Sequence, residues 1–133
     1  MTGLATLAGL PLMIVPFTTS IVLVMGAPEN QQSQPRNIVG GHVISALCGL
    51  SVLMLFGSNA SFAALAVGLS IAAMQLTRTL HPPAGIDALL MVTAKLSWTF
   101  VLMPVLMGAI LLVAFAYAYH QLMMLGRWPK SWW

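Results

Sequence analysis

Arg78-Thr79-Leu80-His81-Pro82-Pro83-Ala84-Gly85 interrupts a chain that is otherwise almost wholly apolar, and its reading decides the fold. Prolines lack a backbone donor and disfavour helix in the residue before them, so a helix arriving through Gln75 is expected to stop near His81. A new helix can begin at once. Proline suits a first helical turn, and Ala84, Gly85 and Asp87 lead into the apolar run from Ala88 to Thr93. The expected product is a helix end, a sharp joint and a fresh helix N-terminus, with Arg78 and His81 beside it.

In water such a joint is an ordinary turn. In a bilayer its freed amides and carbonyls have no partner unless they line a polar cavity. Hydrophobic residues make up 59% of the 133 residues and charged residues 5%, and the mean hydropathy is +0.94, which points to the bilayer. The length allows one compact domain of a few spans. Five basic side chains are scattered singly, without a stripe of interleaved aromatics, so nucleic-acid binding is not expected. Cys48 stands alone and can form no internal disulfide.

Outward from the joint, the chain divides into apolar segments at about 4-26, 36-57, 61-80, 83-97 (short) and 98-119, within a single domain over 1-133. The first has no charge and no basic region before it, so it reads as a retained span and not a signal peptide. Pro11 and Pro16 are expected to break it, leaving Thr18, Thr19 and Ser20 in the opening turn of a second piece. There the hydroxyls either cap free amides or face a bound anion. The polar loop Ala27 to Gln34 follows. In the next span His42 shares a face with Ser45, Ala46 and Gly49. It is either satisfied in a helix interface or lines a pathway.

The third span is expected to pack through Ala60, Ala64, Gly68 and Ala72, a face that continues into Gln75, Arg78 and Thr79. Arg78 either snorkels to a headgroup or turns to the joint, the second being preferred. The short helix from Pro83 to about Ser97 is expected to hold Asp87, Met91 and Lys95 on one face. Trp98 opens the last span, and the tail through Arg127, Trp128, Lys130 and Trp133 reads as an interface anchor. If the short helix crosses, Arg36, Arg78, Arg127 and Lys130 share a side against Lys95, which favours a cytoplasmic C-terminus; a re-entrant helix leaves the split less clear.

Pro16 and Pro82 lie 66 positions apart, about half the chain, and each precedes a short apolar run ending in methionine. Paired broken helices in two halves mark midplane sites in transporters, although coincidence explains one such pair equally well. Two facing helix N-termini, with Arg78, Lys95 and a protonated His81, would attract a small inorganic anion. Asp87 there would take the anion's place, or pair with Arg78 or Lys95. The expected contacts are thus Thr18, Thr19, Ser20, Arg78, His81 and Gly85, with Arg36, Asn37, His42, Asp87 and Lys95 in a second layer.

Gln34-Pro35-Arg36-Asn37-Ile38-Val39-Gly40-Gly41-His42 together with Thr77-Arg78-Thr79-Leu80-His81-Pro82-Pro83-Ala84-Gly85 resembles the HPP family of integral membrane proteins. The likeness extends to Pro16-Phe17 and the last span. It implies a bundle of about four spanning helices and a role in transport, and plant plastid members of the family are associated with nitrite movement. Two departures stand out. Relatives carry more apolar sequence before Pro16, which implies a missing N-terminal helix, and Ile86-Asp87 replaces small uncharged residues, which weakens simple nitrite selectivity. The regulatory CBS domains of some relatives are not recognisable here.

The sequence therefore predicts an all-α, polytopic helical membrane bundle with proline-broken half-helices at Pro16 and Pro82-Pro83, in an inner or plasma membrane. The expected function is a transporter or channel for a small anion, possible nitrite included by resemblance; the alternative is a non-transporting assembly subunit. Small-residue faces suggest a homo-oligomer, dimer and trimer being equally open. Paired carboxylates, an HExxH motif and a nucleophile beside a base are all missing locally, and the histidines lack metal-ligand spacing. No enzyme activity, metal or cofactor is expected unless such groups converge in space.

Overall fold

The computed structural model describes residues 2–123, 126 and 128–132, with side chains from Ile14 onward. The described residues are helices and turns, without a strand. Helix α1 (Thr2–Gly26) leads through a 3-10 turn (Gln31–Ser33) to α2 (Pro35–Phe56) and α3 (Ala60–Leu76). A second 3-10 turn (Pro82–Ala84) opens α4 (Gly85–Thr93), and a lead-in (Val101–Leu106), kinked at Met103 ahead of Pro104 and so not the unbroken span expected from Trp98, opens α5 (Met107–Met123).

Local chemistry explains most boundaries. Pro35 sits at the first position of α2, and Gly57 ends that helix at a φ of 87°. Asn59 caps α3 by accepting from the Phe62 amide at 2.8 Å. At the far end of α3 the Thr79 amide reaches back to the Met74 carbonyl at 2.8 Å around Arg78, whose φ is 56°. Helix α4 closes the same way, from Leu96 to Met91 at 3.1 Å around Lys95 at a φ of 52°. Both are Schellman ends with a long cation where glycine is usual.

Helix α2 is the axle, packed on α3, α4, α5 and the lead-in. Its Gly41 faces the His81 Cβ and the Thr79 carbonyl, which an added Cβ would meet at 2.7 and 3.0 Å; at Gly49 the Cα and carbonyl of Ala88 lie 2.8 Å from that position. Close backbone approach of this kind is what small residues permit between membrane helices. Outside this core, Val22, Met54, Leu55, Leu76, Leu111 and Leu122 point outward, as the lipid-facing surface of a bundle does. Pro35–Phe56 and Val101–Met123 are long and apolar enough to cross a bilayer, while Ile14–Gly26 and Ala60–Leu76 are shorter apolar helices.

Four sequence expectations need correction. Helix α1 runs through Pro11 and Pro16 without a break, because a proline in a membrane helix costs a single bond that neighbouring polar groups can offset. Helix α3 buries Ala63, Ala66, Ser70 and Met74, leaving Ala60, Ala64, Gly68 and Ala72 exposed. Helix α4 stops at Thr93, so Lys95 leaves the face of Asp87 and Met91 and is exposed. Trp128 is no interface anchor: it is fully buried over α5, and its indole donates to the Ser33 carbonyl at 2.9 Å. Lys130 pairs with Glu29, and its amide donates to Gln34 Oε1 at 2.8 Å. Arg127 and Trp133, also assigned to that anchor, lie outside the described residues.

Candidate functional site

The joint at Pro82-Pro83 forms as the sequence predicts, and it presses His81 inward against α1 and α2. The His81 backbone is extended (φ −138°) immediately before the 3-10 turn of the prolines, which is the conformation a following proline imposes. Its ring is fully buried. Nδ1 donates to the Gln32 carbonyl at 2.7 Å, and Nε2 lies 2.7 Å from Ser20 Oγ.

Ser20 sits on α1 directly beneath two imidazoles, for its Oγ is also 2.9 Å from His42 Nε2. His42 Nδ1 in turn lies 2.5 Å from Asp87 Oδ2, across the α2–α4 contact. Ser20, His42, His81 and Asp87 are all 0% exposed. Helices α1, α2 and α4 and the joint thus deliver one hydrogen-bonded chain, Asp87–His42–Ser20–His81, ending on the carbonyl of Gln32. Phe17 stacks on the His42 ring at 4.9 Å and closes the chain from the side of α5. Asp87 Oδ1 has no hydrogen-bond partner among the described residues.

The proton inventory gives this chain a direction. A carbonyl can only accept, so His81 Nδ1 carries the hydrogen on Gln32, and in neutral His81 Nε2 is then a bare acceptor. The Ser20 hydroxyl must donate to it; the Pro16 carbonyl, 2.7 Å away, is the other acceptor for the same hydrogen. His42 Nε2 must therefore donate to Ser20 Oγ. That leaves one proton between His42 Nδ1 and Asp87 Oδ2, and the three links beyond it all donate toward Gln32.

The remaining expected contacts are placed differently. Thr18 and Thr19 are exposed, and their hydroxyls donate back to Ile14 and to Val15 and Pro16 carbonyls at 3.0 to 3.1 Å. They lie inside α1, so no helix N-terminus faces the joint from that side. On the other side one amide near the start of α4, that of Ala88, is taken by Ser45 Oγ at 3.2 Å. Gly85 lines an apolar groove of 460 Å³ with Val67, Ile71, Leu80 and Pro82. Asp87 pairs with His42 and not with Arg78 or Lys95, both of which are exposed. Arg36 donates to the Thr77 carbonyl at 3.1 Å and Asn37 to the Leu80 carbonyl at 2.9 Å, so both hold the joint's backbone.

Arg78 is exposed on the joint's outer side. With Gln31, Gln32, Asn37, Gln75 and Leu80 it lines a polar cleft of 260 Å³, whose wall includes the two residues that flank His81 in space and in sequence. Sequence reasoning missed Gln32, which acts through a backbone carbonyl and leaves no side-chain signal, and Ser45, visible only as one of a small-residue row. It also found no nucleophile beside a base. The structure corrects that: Ser20, His42 and Asp87 stand in hydroxyl–imidazole–carboxylate order, but in a closed interior, with the Ser20 hydroxyl shared by a second imidazole. His120 is fully buried against Trp128, with neither ring nitrogen hydrogen-bonded among the described residues. Those residues contain no cluster of three or more His, Cys, Asp or Glu suited to a metal ion.

Comparison with known proteins agrees with this architecture. The model of the HPP transmembrane region matches residues 1–129. A transmembrane protein of Dictyostelium discoideum is 36% identical over 134 residues, covering 95% of this chain and 47% of that protein. A second transmembrane protein of the same organism is 35% identical over 125 residues, covering 88% of this chain and 40% of its own length. The chain thus spans about half the length of the curated relatives it matches or less. No solved structure matches it. With a family model spanning nearly all its length and two transmembrane relatives beside it, this chain belongs to the HPP family of transmembrane proteins.

Proposed function

We propose that this HPP domain moves a small inorganic anion, of which nitrite is the leading candidate, across an inner or plasma membrane, with its C-terminus in the cytoplasm and without covalent chemistry. The observation that carries the reading is the donor set of the cleft. One guanidinium and the amides of Gln31, Gln32, Asn37 and Gln75 line it, and no carboxylate does. A guanidinium presents paired N–H donors to a planar oxyanion, its charge favours an anion over a cation, and side-chain amides can add neutral donors. The cleft abuts the joint, where a break in the helices gives the anion a path inward; the closed joint seen here is then the resting, occluded state.

Uptake of nitrite and nitrate by proteoliposomes containing the full chain tests this reading. Uptake above empty vesicles is expected, and Arg78→Ala is expected to reduce it about tenfold or more, the loss of one charge-assisted, bidentate contact. Absence of uptake in the unsubstituted chain sinks the reading.

A second reading has its own observation. The exposed row Ala60, Ala64, Gly68 and Ala72 on α3 is suited to close packing by another helix, and a fully buried chain of polar groups at the joint suits a subunit that only assembles. Absence of flux together with cysteine cross-linking between copies at Gly68 would favour it; with flux, the same cross-link would mark a homo-oligomeric transporter.

A further inference from the structure

We propose that Asp87, His42, Ser20 and His81 are a proton relay that couples proton movement to the Arg78 cleft and opens the joint when it discharges. For its anion arm the inference rests on the transport reading above; the relay itself rests on the buried chain.

Stability does not account for the chain. An acidic side chain inside an apolar bundle costs more than the hydrogen bonds between helices return. Apolar residues at these four positions would pack at lower cost. What the four have together is alternate donor and acceptor atoms at every step, with each gap between 2.5 and 2.9 Å. Asp87 also keeps one oxygen unpartnered in a fully buried place, as a group does that must exist both with and without its proton.

Transfer is balanced atom by atom. The shared proton settles on His42 Nδ1, His42 releases its Nε2 proton to Ser20 Oγ, and Ser20 passes its own hydrogen to His81 Nε2. His81 is buried behind the Gln32 turn that lines the cleft, so its Nδ1 proton leaves past that turn, to water or the anion. Afterwards Asp87 is a carboxylate, Ser20 is again a hydroxyl, and both imidazoles are neutral in the opposite tautomer. At the outlet this has a mechanical consequence. His81 Nδ1, now bare, faces the Gln32 carbonyl at the 2.7 Å that a hydrogen bond had set, and two acceptors cannot stay so close. His81 and the Gln32 turn must part, on the wall of the cleft.

Among the described residues no other ionisable side chain hydrogen-bonds to Asp87, His42, Ser20 or His81. Among the described side chains α1, α3 and α5 direct none at the chain; on α2, Arg36 bonds to Thr77 and Cys48 lines the groove between α2 and α3. Arg78 and Lys95, at the ends of α3 and α4, are exposed. The chain's proton count therefore answers to the cleft.

The experiment pairs two measurements on the full chain. In proteoliposomes given an inward nitrate gradient, nitrate entry is expected to change the internal pH read by an entrapped dye. Asp87→Asn, which keeps a donor toward His42 but holds no exchangeable acid, should lose the pH change. Nitrate entry with no pH change in the unsubstituted chain overturns the relay and leaves anion transport standing. If neither nitrate nor nitrite enters, the transport reading fails and infrared spectroscopy decides the relay. The protonated-carboxyl band of Asp87, identified by its loss in Asp87→Asn, should shift on transfer to heavy water, and Ser20→Ala should slow that shift. A missing band, or one indifferent to heavy water or to Ser20→Ala, overturns it.

Discussion

Asp87 and His42 show why partners must be read together. Each alone in an apolar interior is costly; paired at 2.5 Å they neutralise one another or share a proton. Removing one partner strands the other, so His42→Ala is expected to destabilise the domain by about 3–5 kcal/mol. The double variant His42→Ala/Asp87→Ala should lose less than the sum of its single variants, a coupling that unfolding in mixed micelles would measure; strict additivity would mean that the pair does not interact. All four members of the chain were visible in the sequence as polar residues in apolar surroundings. Their pairing was not, since the links join positions 22, 45 and 61 apart and no local spacing encodes such contacts.

Helices α2 and α3 illustrate the element scale. On α2 the row Gly41, Ser45, Gly49 faces the core as its spacing implies, because His42 and Asn37 bias which side is inward. Helix α3 is alanine- and glycine-rich on several faces at once, so nothing in its sequence chooses between Ala60-Ala64-Gly68-Ala72 and Ala63-Ala66-Ser70-Met74. Packing chose the second. A matched pair of substitutions checks this. Gly49→Ala places a Cβ 2.8 Å from the Ala88 backbone and should cost about 1–3 kcal/mol, whereas Gly68→Ala meets nothing within 4 Å and should be neutral or gain up to about 1 kcal/mol in helix propensity. Equal effects on the thermal midpoint would refute the assigned faces. At the end of α4, Lys95→Gly should stabilise by about 1 kcal/mol, since glycine adopts a φ of 52° without steric cost.

For the whole molecule, the C-terminal segment closes the bundle over the Gln31–Ser33 turn, whose Gln32 carbonyl is the outlet of the buried chain. Trp128→Ala removes a fully buried indole and its bond to Ser33, and a loss of about 3–5 kcal/mol is expected. Glu29→Gln, which breaks only an exposed ion pair, should change stability by less than about 1 kcal/mol. If both variants unfold alike, the tail is held by charge and not by the indole.

Composition and hydropathy alone determined that this chain is an all-helical membrane protein, and Pro82-Pro83 alone determined where its joint lies, because backbone sterics act over one or two residues in any surroundings. Whether Pro16 breaks α1, which face of α3 is buried and what Asp87 touches were decided only in the folded bundle. Those outcomes depend on neighbours distant in sequence: a neighbouring helix can satisfy what a proline frees, packing selects among equally apolar faces, and a buried carboxyl takes the partner that three-dimensional closure places within reach.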